Sequence, residues 1–133
     1  MKIEEQIEIA RPPEEVYAVV ADLARGPEWQ PSLVRVDVEA GTEVRRIAGH
    51  ERESRFEVTR AEPPRLFEIV SHAAPVRAWA TFELEPAGAG TRVHFALVLE
   101  LSGPLRFAGR MIRGRAEHEV RGDLERLKQL VET

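Results

Sequence analysis

Residues 91–101 are TRVHFALVLEL, and residues 105–131, after the break Ser102-Gly103-Pro104, are LRFAGRMIRGRAEHEVRGDLERLKQLV. Apolar residues alternate with others in the first segment, which is typical of a strand with one buried face. In the second segment they recur every three or four positions, which indicates an amphipathic helix. At about 1.5 Å per residue this helix would be about 40 Å long, more than a small domain needs to cover its core.

The sequence before residue 91 predicts a short helical region and further strands. Pro12-Pro13, followed by two glutamates, marks the start of a helix that Gly26-Pro27 ends, and a short helical turn carrying Trp29 comes next. Alternating residues separated by glycine and proline turns predict six strands. Their ranges are 2–10, 33–40, 43–48, 50–60, 65–71 and 76–85.

This order of elements predicts an α+β fold. Strands that follow one another along the chain pair as an antiparallel sheet, and the helices cover one of its faces. We expect a seven-stranded curved antiparallel sheet wrapped around the long C-terminal helix, with two short helices between strands 1 and 2. The chain has 133 residues, of which 43% are apolar and 32% charged, as in one globular domain spanning residues 1–133.

The composition excludes several classes of protein. With 19 Lys+Arg against 23 Asp+Glu, the chain lacks the positive charge of a general nucleic-acid binder. It contains no cysteine, and therefore no disulfide, thiolate metal ligand or cysteine nucleophile. No apolar run is long enough for a transmembrane helix, and the first residues carry no apolar signal segment, so we expect a cytoplasmic location.

Four parts of the chain carry a resemblance to a known family. They are Ile7–Tyr17, Asp22–Val34, Phe82–Pro86 with Gly90–Val93, and Asp123–Lys128. In this order they resemble the helix-grip superfamily of START-like (SRPBCC) domains, and within it the polyketide cyclase/dehydrase and lipid-transport family. The resemblance implies an apolar cavity between the concave face of the sheet and the C-terminal helix. It supplies no catalytic residue, because the family motif contains none to match.

The predicted strand faces nominate residues that would contact a small hydrophobic ligand in such a cavity. Trp29 is either an aromatic contact at the cavity mouth or a plug between helix and sheet. Arg52 has the same parity as Phe56, and would either pair with a ligand carboxylate or phosphate or remain solvated. The apolar candidates are Phe56, Phe67, Ile69, Ala78, Ala80, Phe82, Phe95, Leu97, Met111 and Ile112.

Motifs for metals, cofactors and covalent catalysis are missing from the sequence. His50, His72, His94 and His118 are far apart and lack the spacing of metal ligands, so we expect no metal site. There is no phosphate-binding loop, dinucleotide fingerprint or nucleophile elbow, so we expect no cofactor and assign no catalytic residue.

The last helix carries an arginine stripe, which we define as Arg106, Arg110 and Arg113. One interpretation is contact with an anionic membrane or ligand head group. The other is a solvated helix flank, with Glu117 pairing with Arg113. Phe107 and Met111 widen the apolar surface at this end of the helix. Such a surface would suit a cavity wall or a dimer contact, so the sequence is compatible with both a monomer and a homodimer.

Three functional hypotheses follow. The first is binding of a lipid, isoprenoid quinone or polyketide-like molecule. The second is a polyketide cyclase or dehydratase that uses one acid/base group. The third is a module that delivers lipid or quinone to a membrane partner through the arginine stripe.

Overall fold

The computed structural model describes residues 1–47 and 49–133. Within these residues the chain forms seven strands, two α-helices and two short 3-10 helices. The strands are β1 (Lys2–Ile9), β2 (Leu33–Asp37), β3 (Thr42–Ile47), β4 (His50–Glu62), β5 (Leu66–Ala73), β6 (Val76–Ala87) and β7 (Gly90–Leu101). The α-helices are α1 (Pro13–Val20) and α2 (Gly109–Glu132), and the 3-10 helices are Leu23–Glu28 and Gly103–Ala108.

The strands form one antiparallel sheet with the order β1-β7-β6-β5-β4-β3-β2, which confirms the predicted architecture. Neighbours in the chain pair from β2 to β7, and β1 pairs with β7. Since side chains alternate along a strand, the register places Phe67, Phe82 and Phe95 in one row on one face. We call this the inner face, because the buried residues of both α-helices pack against it.

The end of β2 differs from the prediction. The Asp37 carboxylate accepts a hydrogen bond from the Ala40 N–H (3.0 Å), and Gly41 turns the chain with a φ of 68°. Because this turn ends the strand at Asp37, the predicted strand 33–40 is three residues too long. Val38 lies in the turn and is exposed.

The other strand ends differ by one or two residues. Pairing across the turns extends strands beyond the segments in which apolar residues alternate. For example, β6 continues to Ala87, which pairs with Gly90 across a two-residue turn containing Gly88 (φ 61°). Ala48, the predicted end of the third strand, lies outside the described residues.

The long C-terminal helix is confirmed, except for its first turns. The chain leaves β7 through Gly103, whose φ of 63° suits glycine, and enters a 3-10 helix with Pro104 at its start. The α-helical bonding begins only at Gly109. The predicted helix over 105–131 is therefore wrong over residues 105–108, which include Leu105 and Ala108.

The core fills one half of the space between α2 and the inner face. The rings of Phe82 and Phe95 are 4.7 Å apart between centroids. Leu124 and Leu127 of α2 belong to the same buried cluster, as does Tyr17 of α1, whose hydroxyl donates a hydrogen bond to the Leu66 carbonyl (3.0 Å). The C-terminal half of α2 thus lies against the largest side chains of the sheet.

One side of α2 is attached to the edge strand β1. Arg113 donates to the Lys2 carbonyl (2.9 Å), Arg121 to the Glu5 carboxylate (2.9 Å), and Lys128 to the Glu8 carbonyl (2.8 Å). At about 3.6 residues per turn, Ile112, Ala116, Asp123 and Arg126 lie on the other side of the helix. On this second side, Arg126 donates to the Trp29 carbonyl (3.2 Å), just after the first 3-10 helix, and Asp123 is near enough to Arg45 of β3 for the Arg45 charge to lower its pKa.

Candidate ligand-binding groove

Beyond the core, the inner face continues with smaller and partly exposed side chains. The core cluster extends to the row Ile69, Ala80 and Leu97. The next row contains Phe56, Ser71, Ala78 and Leu99, which lie outside the cluster and are partly exposed. The inner face is therefore only half covered.

The N-terminal half of α2 lies beside this uncovered region. Arg113 bonds to Lys2, and a Cβ at Gly109 would lie 3.6 Å from the Met1 side chain, so this half of the helix sits next to the start of β1. Ile112 and Ala116 are partly exposed, whereas Met111 and Phe107 are 69% and 83% exposed. We call the space between this half-helix and the inner face the groove. The residues that define it are Ile69, Ser71, Ala78, Ala80, Leu97, Leu99, Ile112 and Ala116.

The ten apolar candidates from the sequence fall into three zones. Phe67, Phe82 and Phe95 are buried in the core and form the floor beside the groove. A second zone packs on the core but is partly exposed: Ile69, Ala80 and Leu97. The third lies beyond the core, with Met111 at the open end: Phe56, Ala78, Met111 and Ile112.

The resemblance implies a cavity between the sheet and α2, but packed side chains fill this region under the C-terminal half of α2. What remains is open to solvent along α2. Two open depressions, of about 580 and 650 Å3, lie on the opposite, outer face of the sheet, and Thr81 lines both. The candidate site is thus a groove under one half of α2.

Arg52, the predicted polar contact, is exposed, so it does not need a buried partner. It lies opposite Arg45 in the β3–β4 ladder. Arg45 is partly buried, with 30% of its side chain exposed, and it was not among the predicted contacts.

Arg45 is the centre of what we call the polar cluster: Gln30, Ser32, Glu43, Arg45 and Ser54. The guanidinium donates to the Glu43 carboxylate (3.1 Å), to the Ser32 hydroxyl (3.3 Å) and to the Gln30 side-chain oxygen (2.9 Å). The Ser54 hydroxyl also donates to Glu43 (3.4 Å), which is only 7% exposed. Ser54 is two residues from Phe56 on the same strand and face, so the polar cluster borders the groove.

Two charged residues of α2, Asp123 and Arg126, lie close to the polar cluster, since the Arg45 charge lowers the pKa of Asp123. Arg126 donates to the Asp123 carboxylate (2.8 Å). Burial raises the pKa of Asp123 from 3.8 to about 6, and the Glu119 charge raises it too, while Arg126 and Arg45 oppose the shift. A carboxyl with this pKa exchanges its proton close to neutral pH, as general acid–base chemistry requires.

Trp29 connects the polar cluster to the core. Its carbonyl accepts the bond from Arg126, and its ring meets the Phe82 ring edge-on with centroids 6.1 Å apart. The residue is 5% exposed, and its indole Nε1 is buried without a hydrogen-bond partner among the described residues. An unsatisfied buried donor costs about 1–3 kcal/mol.

Glu43, Arg45 and Asp123 were not predicted, because each sits in a sequence pattern that suggests a solvated position. In β3, Glu43 and Arg45 share one face, but Arg46 on the other face removes any apolar–polar alternation. The sequence offers one indication: Glu43 and Arg45 are two positions apart and therefore lie on the same face of the strand, where opposite charges can pair.

The arginine stripe does not act as a unit. Arg113 pairs with Glu117 (3.0 Å) as well as with Lys2, which agrees with the predicted solvated flank. Arg106 and Arg110 remain at the open end, where the Arg106 guanidinium lies 5.2 Å from the centre of the Phe107 ring.

The described residues contain no cluster of three or more potential metal ligands, and His94 pairs instead with Glu85 (2.9 Å) on the outer face. Within the same residues, the helices are too short or too polar to cross a bilayer.

A curved antiparallel sheet holding a long C-terminal helix is the helix-grip fold, which is the fold of START-like domains. The sequence matches the family described as "Polyketide cyclase / dehydrase and lipid transport" over residues 1–132, and the chain belongs to that family. No match was found among curated protein sequences.

Solved structures share this fold at low sequence identity. A START superfamily protein from Mycobacterium smegmatis is 17% identical, with a TM-score of 0.86 over 98% of this chain and 97% of that one. TTHA0849 from Thermus thermophilus is 21% identical, with a TM-score of 0.79 and coverage of 98% and 97%. The di-domain ARO/CYC StfQ from the steffimycin biosynthetic pathway is 12% identical, with a TM-score of 0.81 over 98% of this chain and 50% of StfQ.

Proposed function

We propose that this protein binds a small amphipathic molecule, such as a lipid, an isoprenoid quinone or a polyketide-like ring system, in the groove. The apolar body of the ligand would lie along Ala78, Leu97, Leu99 and Ile112. Its polar part would meet the polar cluster beneath the C-terminal half of α2. The lipid transport in the family description, and the fold shared with a protein of a steffimycin pathway, support this class of ligand.

The observation that carries the proposal is the uncovered apolar surface along one half of α2. Leu124 and Leu127 are buried, but Ile112 and Ala116 are partly exposed, and Met111 and Phe107 project into solvent. Covering apolar surface contributes about 25 cal/mol per Å2, so a ligand that fills the groove gains directly from it. Contiguous exposed apolar patches of this kind mark binding sites.

Binding is tested with a neutral apolar fluorophore, N-phenyl-1-naphthylamine, whose emission rises in apolar surroundings. The substitution Ala78→Trp places an indole in the groove. We expect it to weaken probe binding by about tenfold or more, because the bulky ring occupies the space that the probe needs.

The matched control is Ala96→Trp on the adjacent strand β7. Ala96 pairs with Thr81 on the outer face, beside an open depression, so this indole lies away from the groove. We expect wild-type probe affinity for the control. The proposal fails if the wild-type protein does not bind the probe, or if both variants lose affinity equally.

A second candidate function, delivery of the ligand at a membrane, is favoured by the open end of the groove. Phe107 and Met111 are the two most exposed large apolar residues of the described chain, and Arg106 and Arg110 flank them. Residues 102–116 contain four arginines and no acid, although the whole chain has a net charge of −4. Exposed apolar side chains within a basic patch suit an anionic bilayer surface.

Co-sedimentation with vesicles of phosphatidylcholine and phosphatidylglycerol tests this candidate. We expect salt-sensitive binding that Arg106→Glu with Arg110→Glu abolishes. The control is Arg60→Glu with Arg65→Glu, the same charge change at the opposite ends of the strands. Equal loss of vesicle binding in both double variants would show that binding depends only on net charge. It would therefore rule out a docking surface at Arg106 and Arg110.

A further inference from the structure

The outer face of the sheet carries an apolar row at its centre. Where one face of an antiparallel sheet meets solvent, its side chains are normally polar. Here the register places Val70, Trp79 and Val98 side by side on β5, β6 and β7, on the face opposite the phenylalanine rings. All three are partly exposed, and the buried residues of both α-helices pack on the inner face instead. The described part of the chain therefore leaves this row without a covering element.

Trp79 lies in the middle of this row, which we call the outer row. The Arg77 guanidinium is 5.1 Å from the centre of its ring. Tryptophan and arginine are among the residue types that contribute most often to the binding energy of protein interfaces. One of the open depressions, of about 580 Å3, is lined by Trp79, Thr81 and Val98 among others, so a second aromatic ring has room to pack there.

Charged side chains on the two sides of β6 are complementary. The strands β4 and β1 lie two strands away from β6, in opposite directions. The paired registers place Glu57 of β4 in the same row as Lys2 of β1, and Arg60 of β4 in the same row as Glu4 of β1. A two-fold axis along β6 would exchange β4 with β1. Lys2 of one copy would then face Glu57 of the other, and Glu4 would face Arg60.

The same axis also matches the side chains between these strands. It places Val70 over Val98 of the second copy and brings the two Trp79 rings together. Arg77 would lie near its own counterpart, but Glu100 is opposite Arg77 in the β6–β7 ladder and offsets that charge. An isologous interface requires a surface of this kind, in which each residue meets a suitable partner on the identical patch.

The outer face is also large enough for a weak dimer. Five strands, from β4 to β1, span roughly 24 Å at about 4.8 Å per strand, and the eight residues of β5 are about 26 Å long. The area is on the order of 600 Å2 per copy, somewhat below the roughly 800 Å2 of a standard interface. Such an area suits a reversible association.

We propose that the outer face is a homodimer interface, in which two copies of this chain pack their sheets together about a two-fold axis along β6. The two sheets would lie about 10 Å apart, with Trp79 at the centre. The area indicates a dissociation constant of about 10 μM, so unfolding measured well below that concentration reports the monomer. The inference is independent of the groove, which lies on the inner face and stays open in this arrangement.

Sedimentation equilibrium at several protein concentrations tests the inference. We expect a monomer–dimer equilibrium in the wild-type protein. In Trp79→Glu we expect association to be at least about a hundredfold weaker, because this variant buries a charge at the centre of the interface. The matched control is Val38→Glu, which introduces the same charge at an exposed apolar residue in the turn after β2. It should associate like the wild type.

A charge exchange tests how the two copies are oriented. Lys2→Glu would face Glu57 of the second copy, and Glu57→Lys would face Lys2, so each should weaken association by about tenfold. The double variant restores opposite charges and should return to within about threefold of the wild type. Within one chain these two residues are four strand spacings apart, about 19 Å, so a recovery would not come from contact inside the monomer.

Three results would each overturn the inference. The first is a wild-type protein that stays monomeric at every concentration. The second is a dimer that Trp79→Glu leaves intact, since its interface would lie elsewhere, and the third is a double charge variant that associates no better than the single ones. If Trp79→Glu fails to fold, the charge exchange decides. Probe binding in the groove should be the same in the charge variants as in the wild type, so failure of the dimer leaves the groove proposal standing.

Discussion

The two halves of α2 carry one continuous apolar stripe but meet different parts of the sheet. In the C-terminal half, Leu124 and Leu127 are buried against the row of phenylalanine rings. In the N-terminal half, Ile112 and Ala116 stay partly exposed. The same helical pattern thus forms a core at one end and a groove at the other.

The difference comes from the side chains that face the helix. The row under the C-terminal half contains Phe67, Phe82 and Phe95. In the row that contains Phe56 and Leu99, the two strands between them carry only the small residues Ser71 and Ala78. Large rings reach the helix and pack at the density of a protein interior, and small side chains leave space beneath it. The volume on the sheet therefore decides where this fold is closed and where it can accept a ligand.

Truncating one apolar side chain in each half of α2 should give the largest contrast in stability. We expect Leu124→Ala to lower the free energy of unfolding by about 3 kcal/mol, since it leaves a cavity in the packed half. Ile112→Ala should cost about 1 kcal/mol or less, because that side chain is already partly hydrated. Urea unfolding of both variants measures the two values. Equal losses would mean that the N-terminal half is packed as tightly as the C-terminal half.

The next prediction concerns Asp123, which lies between the core and the polar cluster. Its pKa is about 6 in the folded protein and 3.8 ordinarily, so between these values the folded state holds a proton that the unfolded chain has released. Stability therefore falls as the pH rises from about 4 to 6 and stays lower above that range. Asp123→Asn removes this loss.

We expect Asp123→Asn to raise stability by roughly 1 to 3 kcal/mol at pH 8, and to have little effect near pH 3.5. Chemical denaturation at several pH values measures the difference, and Glu68→Gln on the outer face is the control. A variant less stable than wild type at pH 8 would show that the bond to Arg126 outweighs the cost of burying the charge.

Much of the fold could be predicted from the sequence because local patterns report it directly. Alternation in residues 91–101 and the helical period that follows predict the last strand and the long helix. Strands joined by short turns predict that neighbours in the chain pair, as they do from β2 to β7, but they do not predict that β1 pairs with β7. Parity also placed Phe67, Phe82 and Phe95 on one face. The errors concern the ends of elements, where local hydrogen bonding departs from what the apolar pattern predicts. Examples are the turn at Asp37, which ends β2, and the 3-10 helix before Gly109.

The polar half of the candidate site could not be predicted in the same way. Arg45 is held by Gln30 and Ser32, residues more than ten positions away, and Asp123 comes under the influence of Arg45 only in the folded chain. Local charge patterns are the same for a solvated arginine and for a buried one, since burial depends on partners that only the tertiary structure supplies. The parity that Arg52 shares with Phe56 made it a candidate contact, and its exposure agrees with the alternative that it remains solvated.

The smallest effect we predict compares two glycines of α2, one in each half. A Cβ at Gly114 would meet nothing within 4 Å, so Gly114→Ala should stabilise the protein by about 1 kcal/mol through its higher helix propensity. A Cβ at Gly122 would lie 2.9 Å from the Arg126 guanidinium, so Gly122→Ala gains less, because the arginine must move away from its bonds to Asp123 and Trp29. Thermal unfolding of both variants compares them. Equal gains from the two variants would mean that the Arg126 guanidinium moves away from the new methyl group at no cost.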